Sequence, residues 1–199
     1  MPVKVLCQAG DGIEIRALHR GLAARIYQMV RAEHARLARF LPWAQHTQSL
    51  SDTVAFLTHA RDAFIQGQAV HGGIWVENEL VGMMSLEVKG PADQAAHIGY
   101  WISSRVEGKG VMSRALHAFV DYAFSEWKLH RLEIYCATAN VRSCRVAERA
   151  GFLKEGTLRG ARKVNGEFLD MNLFALLQPE WQARRKGSGR GPLVRPLAE

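Results

Sequence analysis

A glycine-bearing loop between a strand and a long helix constrains this chain more than any other feature. The loop is Arg105-Val106-Glu107-Gly108-Lys109-Gly110. Before it, His97-Ile98-Gly99-Tyr100-Trp101-Ile102 is apolar, aromatic and β-branched, which favours a strand. After it, Val111, Met112, Ala115, Leu116, Phe119, Val120, Ala123, Phe124 and Trp127 recur at helical spacing. N–H groups at such a helix start lack intrahelical partners, and the helix dipole adds partial positive charge. Gly108 and Gly110 have no Cβ, so a ligand can come close to the backbone. Lys109 and Arg105 add formal positive charge. Together these parts suit a phosphate or pyrophosphate. No Gly-Lys-Ser/Thr ending is present, so the loop is not a P-loop. Nor is Arg-x-x-Gly-x-Gly the Gly-x-Gly-x-x-Gly of dinucleotide enzymes. An ordinary β–α loop with glycines for tight packing would carry the same local sequence.

A second constellation lies downstream. Asn140-Val141-Arg142-Ser143 opens a short helical segment, with Asn140 a good N-cap. Ala150-Gly151-Phe152 closes it, with Gly151 where a C′ glycine belongs. The lead-in from Arg131 to Thr138 reads as a strand, and Glu155-Gly156 follows the Gly-Phe. The loop spacing, the Asn-x-x-Ser and the helix ending in Gly-Phe resemble the GNAT N-acetyltransferases. Within them the pattern is most similar to the RimJ/RimL-type ribosomal-protein serine/alanine N-acetyltransferases. The resemblance runs from about His97 to Leu177 and more loosely back to about Ile13; residues after about Gln182 match nothing in it.

That resemblance implies an α+β fold with a mostly antiparallel central sheet, flanked by helices and split in a V where CoA enters. It implies transfer of acetyl from acetyl-CoA to a primary amine by direct attack in a ternary complex. Arg105, Val106, Glu107, Gly108, Lys109, Gly110, Val111 and Met112 would hold the pyrophosphate. Tyr100, Trp101, Ile102 and Ser103 would offer backbone groups to the pantetheine arm, and a backbone N–H of that strand would serve as oxyanion donor. Asn140 would bond the pantetheine, although capping alone also accounts for it. Ser143 would meet the CoA sulfur and act as the acid for the leaving thiolate. Its hydroxyl sits near a helix N-terminus, where a developing anion is stabilised, but it can equally satisfy local backbone groups. Glu155 matches the glutamate such enzymes are thought to use as base; a solvated glutamate at a strand start is the commoner fate. An α-amine has a reference pKa near ~8, so a weak base or a water suffices.

Other residues were weighed as packing or surface. Cys144 neighbours Ser143 at a helix start, but a covalent cysteine route needs a positioned histidine, and His117 and His130 are unplaced relative to it. His71, His97 and His130 flank or begin strands. Arg159, Arg162 and Lys163 precede a hairpin turn and could face the CoA 3′-phosphate, an acidic acceptor or solvent. Phe40, Leu41 and Trp43 lie where relatives wall the acceptor groove, and core packing explains them as well. The histidines show no metal-ligand spacing, so no metal is expected.

The chain's 199 residues suit one domain, expected at residues 1–182, followed by a basic Gly/Pro/Arg-rich tail at 183–199. The net charge is +7, of which residues 180–199 contribute +3 from five basic and two acidic side chains. No aromatic residues alternate with the basic ones there, so direct nucleic-acid binding is not expected. Three cysteines without a Cys-x-x-Cys pair suit a reducing cytoplasm. No apolar run approaches the ~20 residues of a membrane helix. The expected partners are acetyl-CoA, an amine acceptor and, from the resemblance, a second copy in a homodimer. A ribosomal-protein N-terminus is the implied acceptor, with polyamines, amino acids and aminoglycosides open. A non-catalytic acyl-CoA-binding module is the other class of reading.

Periodicity places a strand at Gly12 to Leu18, an interrupted helix from Leu22 to Phe40 stopping at Pro42-Trp43, and a helix capped by Ser51-Asp52 and ended by Gly67. Strands follow at Gly73 to Val76, Leu80 to Val88 and Ala96 to Ser103. Val164-Asn165-Gly166-Glu167 predicts a type I′ hairpin between arms Leu153–Lys163 and Glu167–Leu177.

Overall fold

The computed structural model describes residues 4–90 and 92–188, the last two by backbone alone. In chain order the elements are β1 (Val5–Gln8), β2 (Ile13–Ala17), α1 (Ala23–Ala32), α2 (His34–Leu37), α3 (Trp43–His46), α4 (Leu50–Ile65), β3 (Ala69–Val76), β4 (Glu79–Gly90), β5 (Ala95–Ile102), α5 (Val111–Glu126), β6 (Arg131–Ala137), α6 (Val141–Arg149), β7 (Leu153–Val164), β8 (Glu167–Leu177) and α7 (Gln178–Ser188). One eight-stranded sheet runs β1-β2-β3-β4-β5-β6-β8-β7. Every neighbouring pair is antiparallel except β5 and β6. The fold is the expected α+β arrangement.

The two sheet faces bury different helices. On one face α5 and α6 cover Ile98, Ile102, Leu132, Ile134 and Phe174, with Leu116 and Phe119 fully buried between. On the other, α1 and α4 cover Trp75, Met83 and Trp101 through Ile26, Val30 and Leu57. Alternation along β5 makes this possible: Trp101 faces the second layer, and Tyr100 and Ile102 face the first.

Several expectations shift at their ends. The N-cap of α4 is Ser49, not Ser51; its hydroxyl and the Asp52 carboxylate form a reciprocal capping box. The preceding helical segment stops before Pro42, as expected, but Pro42 is also the N-cap of a further short helix, α3. The hairpin turn holds, with Asn165 and Gly166 both at positive φ. Strand β1 was not read from the sequence; it pairs only with β2 at the sheet edge. The segment read as a tail begins inside α7, whose Trp181 indole N–H donates to Asp121 on α5 at 2.5 Å. Arg184 donates to the Gly151 carbonyl. Residues 189–199 of the expected tail lie outside the described residues.

A buried carboxylate ties the helical layer to the end of β5. Glu33, between α1 and α2, accepts from the Ser103 hydroxyl at 2.8 Å, the Ser104 N–H at 2.8 Å and the Ser104 hydroxyl at 2.9 Å. Arg36 Nε adds a fourth bond at 2.8 Å. Burial alone would raise this carboxyl's pKa, but the bonds from Arg36, Ser103 and Ser104 outweigh it and hold it at about 2.

Two outcomes follow. Phe119→Ala should cost ~3–5 kcal/mol of unfolding free energy in urea, since it removes a fully buried ring. Glu33 has a folded pKa below its ordinary 4.5, so its stabilisation is complete above that value and lost as pH falls toward about 2. The stability gap between the wild type and Glu33→Gln should therefore narrow between pH ~5 and ~2 and stay constant above, as denaturant titrations across that range would measure.

Candidate active site

The parallel ladder between β5 and β6 is short. It pairs Ala95 with Arg131, Ala96 with Leu132 and His97 with Glu133, and then stops. Beyond His97 each strand continues against its other neighbour, β4 or β8. The two strands therefore part, and their facing peptide groups are left for something other than each other. A cleft of about 1110 Å³ occupies this seam and runs to the start of α5. Its wall includes Trp101, Ile102, Val106, Glu107, Gly108, Gly110, Val111 and Met112 on one side, and Cys136, Asn140 and Ser143 on the other.

The loop end is built for an anion. Gly108 and Gly110 have φ of +76° and +74°, a conformation that disfavours any side chain. A Cβ on Gly108 would meet nothing within 4 Å, so the glycine keeps the approach open. Gly110 is the N-cap of α5 and gives no side-chain cap, so the first-turn N–H groups are unclaimed by a cap. Arg142, Arg145 and Arg149 on α6 line the same cleft. Glu107 accepts from Arg36 at 2.7 Å and from Arg142, joining the loop to both walls.

Deep in the seam sit three protonated groups. The Ser143 hydroxyl lies 3.2 Å from the Tyr100 hydroxyl and 3.2 Å from Cys136 Sγ. Tyr100 donates to the Ser143 carbonyl at 3.1 Å, and the Ser143 N–H is capped by Asn140 Oδ1 at 3.3 Å. Burial raises the Tyr100 pKa well above its usual range and pushes the Cys136 thiol up to about 12. Neither group is an anion at neutral pH.

The opposite face of the seam carries an ionic network. Glu133 accepts from Lys89 at 2.6 Å, from Arg131 at 2.7 Å and from the Tyr135 hydroxyl at 2.7 Å. Burial pulls its pKa up, but those three bonds win and hold it at about 2. His97 lines the cleft, with Nε2 3.6 Å from a Glu87 oxygen and its ring edge-on to Tyr135 at 6.4 Å.

Most of the expected site residues come together here, and four do not line the cleft. Ser103 is turned into the Glu33 cluster. Arg105 points to Glu79 at 3.4 Å, and Lys109 is not among the lining residues. Glu155 lies outside the cleft and is gripped by Arg131 through both carboxylate oxygens, which lowers its pKa. Of the three cations before the hairpin turn, only Arg162 reaches the cleft. Sequence reasoning passed over Arg36 and the Tyr100 side chain, and set His97 aside as a surface residue at a strand start. The alternation of β5 could have flagged His97 and Trp101 as one face, but nothing local marks Tyr100 as a partner of Ser143. Among the described residues no cluster of three or more His, Cys, Asp or Glu could hold a metal ion.

Comparison with known proteins agrees with this geometry. The family model described as acetyltransferase (GNAT) domain matches residues 13–153. The ribosomal-protein-serine acetyltransferase of Escherichia coli (strain K12) is 31% identical over 168 residues, covering 84% of this chain and 94% of that protein. Among solved structures, a RimL ribosomal L7/L12 α-N-protein acetyltransferase in complex with coenzyme A superposes with a TM-score of 0.84 at 28% identity, covering 87% of this chain and 98% of the other. Mycobacterium smegmatis RimJ in complex with CoA-disulfide gives 0.81 at 26% identity, covering 96% of this chain and 94% of the other. A strand pair that parts beside a glycine loop, an Asn-capped helix facing it and these matches have one common explanation: the chain belongs to the GNAT family of acetyltransferases.

Proposed function

We propose that this enzyme moves the acetyl group of acetyl-CoA onto the α-amine of a protein N-terminus, of the kind its ribosomal-protein-modifying relatives act on. One observation carries the reading: the β5–β6 seam joins an anion-binding loop to a depth lined by proton donors. The pyrophosphate would lie on the Gly108–Gly110 backbone and the α5 N-terminus, with Arg145 and Arg149 beside it. Pantetheine would take up the ladder positions left vacant along β5 beyond His97. Its thioester would then reach the Ser143–Tyr100 pair.

Each residue has a defined task in the transfer. His97 takes the proton of the attacking amine, directly or through one water. It is the cleft-lining group able to do so, because Glu107 is held by two arginines. A Glu87 carboxylate oxygen lies 3.6 Å from its Nε2. A peptide N–H of β5 steadies the oxyanion as the amine nitrogen bonds to the carbonyl carbon. When the carbon–sulfur bond breaks, the Ser143 hydroxyl, which in the resting site donates to Tyr100, gives its proton to the departing sulfur and takes one back from solvent as the thiol leaves. Products are the N-acetylated chain and free CoA thiol. The reading includes a cytoplasmic protein, supported by three buried, unpaired thiols at Cys7, Cys136 and Cys144. No helix among the described residues is long and apolar enough to cross a membrane.

Thiol release from acetyl-CoA against peptides with Ser, Ala and Met N-termini, spermidine and an aminoglycoside tests the activity. Turnover is expected with a peptide; tight acetyl-CoA binding with no turnover on any acceptor would defeat the catalytic reading. Gly108→Val should weaken CoA at least ~10-fold by calorimetry, since the added carbons fill open approach space; the positive φ also strains the loop, so the melting point should drop by several degrees with the protein still folded at the assay temperature. His97→Gln should lower kcat by ~10²-fold or more with CoA affinity kept, as steady-state kinetics and calorimetry would measure. Glu155→Gln, outside the cleft, should change kcat less than ~2-fold while lowering stability through Arg131; the reverse ranking would make Glu155 the base.

A further inference from the structure

Six arginines line the cleft, against the single carboxylate of Glu107. They divide by position. Arg142, Arg145 and Arg149 lie on α6, opposite the α5 start, where the CoA phosphates belong on the reading above. Arg36 is spent on Glu33, Glu107 and the Ile102 carbonyl. Arg39 and Arg162 remain. Neither has a carboxylate partner among the described residues, and Arg39 is packed over the Phe40 ring at 5.4 Å.

Both cations line the cleft, and the segments that carry them are held together. The Asn165 side chain, at the tip of the β7–β8 hairpin, donates to the Ala38 carbonyl at 3.1 Å. Ala38 precedes Arg39, and Arg162 lies three residues before Asn165, so one hydrogen bond brings both guanidinium-bearing segments to the same mouth. Arg162 is half-buried on a strand whose other residues are almost all exposed, yet it has no counter-charge. Burying a cation without a partner is costly unless a ligand supplies one. Phe40, Leu41 and Met171 complete the walls between them with apolar surface.

The geometry points to an acceptor whose amine is followed, within its first few residues, by Asp or Glu. This rests on the acyl-transfer reading above and narrows its substrate class. Carboxylates entering at the Arg39–Arg162 mouth find the donors that the protein leaves unpaired, and Arg offers them a bidentate fit. A polyamine or an aminoglycoside meets two unopposed positive charges at the same place, so the acceptors in that class are disfavoured.

The test compares Ser-initiated peptides that differ only in bearing Asp, Asn or Lys at the three positions after the serine. With the wild-type enzyme, kcat/KM should fall at least tenfold from the Asp to the Lys peptide, and the difference should shrink with added salt. Arg39→Glu combined with Arg162→Glu should abolish or reverse that order with CoA affinity unchanged. Arg159→Glu paired with Lys163→Glu makes the same charge change on residues outside the cleft lining and should leave the order as it was. Equal kcat/KM for the three peptides, a higher value for Lys, or spermidine outrunning the Asp peptide would each overturn the inference while leaving acetyl transfer intact. No transfer to any peptide would instead remove the acyl-transfer reading, and the inference with it.

Discussion

The whole site depends on a parallel strand pair that stops early. After His97 and Glu133 the chain does not continue the β5–β6 ladder. Unpaired peptide groups inside a protein are costly, so such a seam persists only where a ligand or solvent can satisfy them. The rest of the molecule holds the seam open. On one side β4 keeps β5 in register through Ile102, and on the other β8 keeps β6 in register through Ala137. Glu33 fixes the end of β5 from the helical layer, and α5 and α6 pack below with Phe119 and Ala147 fully buried. The split is thus enforced from both flanks by ordinary antiparallel pairing and core packing.

Electrostatics divides the cleft into three zones along its length. At the loop, backbone dipoles and the α6 arginines concentrate positive charge. In the middle, Ser143, Tyr100 and Cys136 carry protons and no formal charge. On the far face, Glu133, Lys89, Arg131 and Glu155 cancel one another in a closed ionic network. That network explains why Glu155, which looks catalytic in the sequence, lies outside the cleft and paired with Arg131. Its neighbour Arg131, at the start of β6, is a distant residue in sequence that already uses both of its oxygens.

What was legible in the chain was local chemistry. The glycine loop, the Asn140 cap, the Gly151 stop and the Asn165-Gly166 turn each follow from a backbone conformation that few residues adopt, so they could be read directly. What was hidden depends on contacts distant in sequence. Strand β1 is four residues long and is defined by its partner β2. Helix α7 has no apolar stripe; it is held by Trp181 against Phe124 and Asp121. His97 reads as a surface residue because only a strand pairing distant in sequence places it in the cleft, where β5 leaves β6. Ser49 displaced Ser51 as the cap because either serine fits the pattern, and only the spacing to Asp52 decides between them.

The uncharged middle zone has a consequence for how the thioester bond can break. A sulfur anion formed beside buried Tyr100 and Cys136 would stand in a medium that solvates charge poorly. It cannot wait there for a proton to diffuse in. On the proposed chemistry, bond scission and proton arrival would share one transition state, with the Ser143 hydroxyl giving its hydrogen as the sulfur departs. Such a pocket favours leaving groups basic enough to take that hydrogen early, and it makes the step sensitive to replacing the moving protons with deuterons.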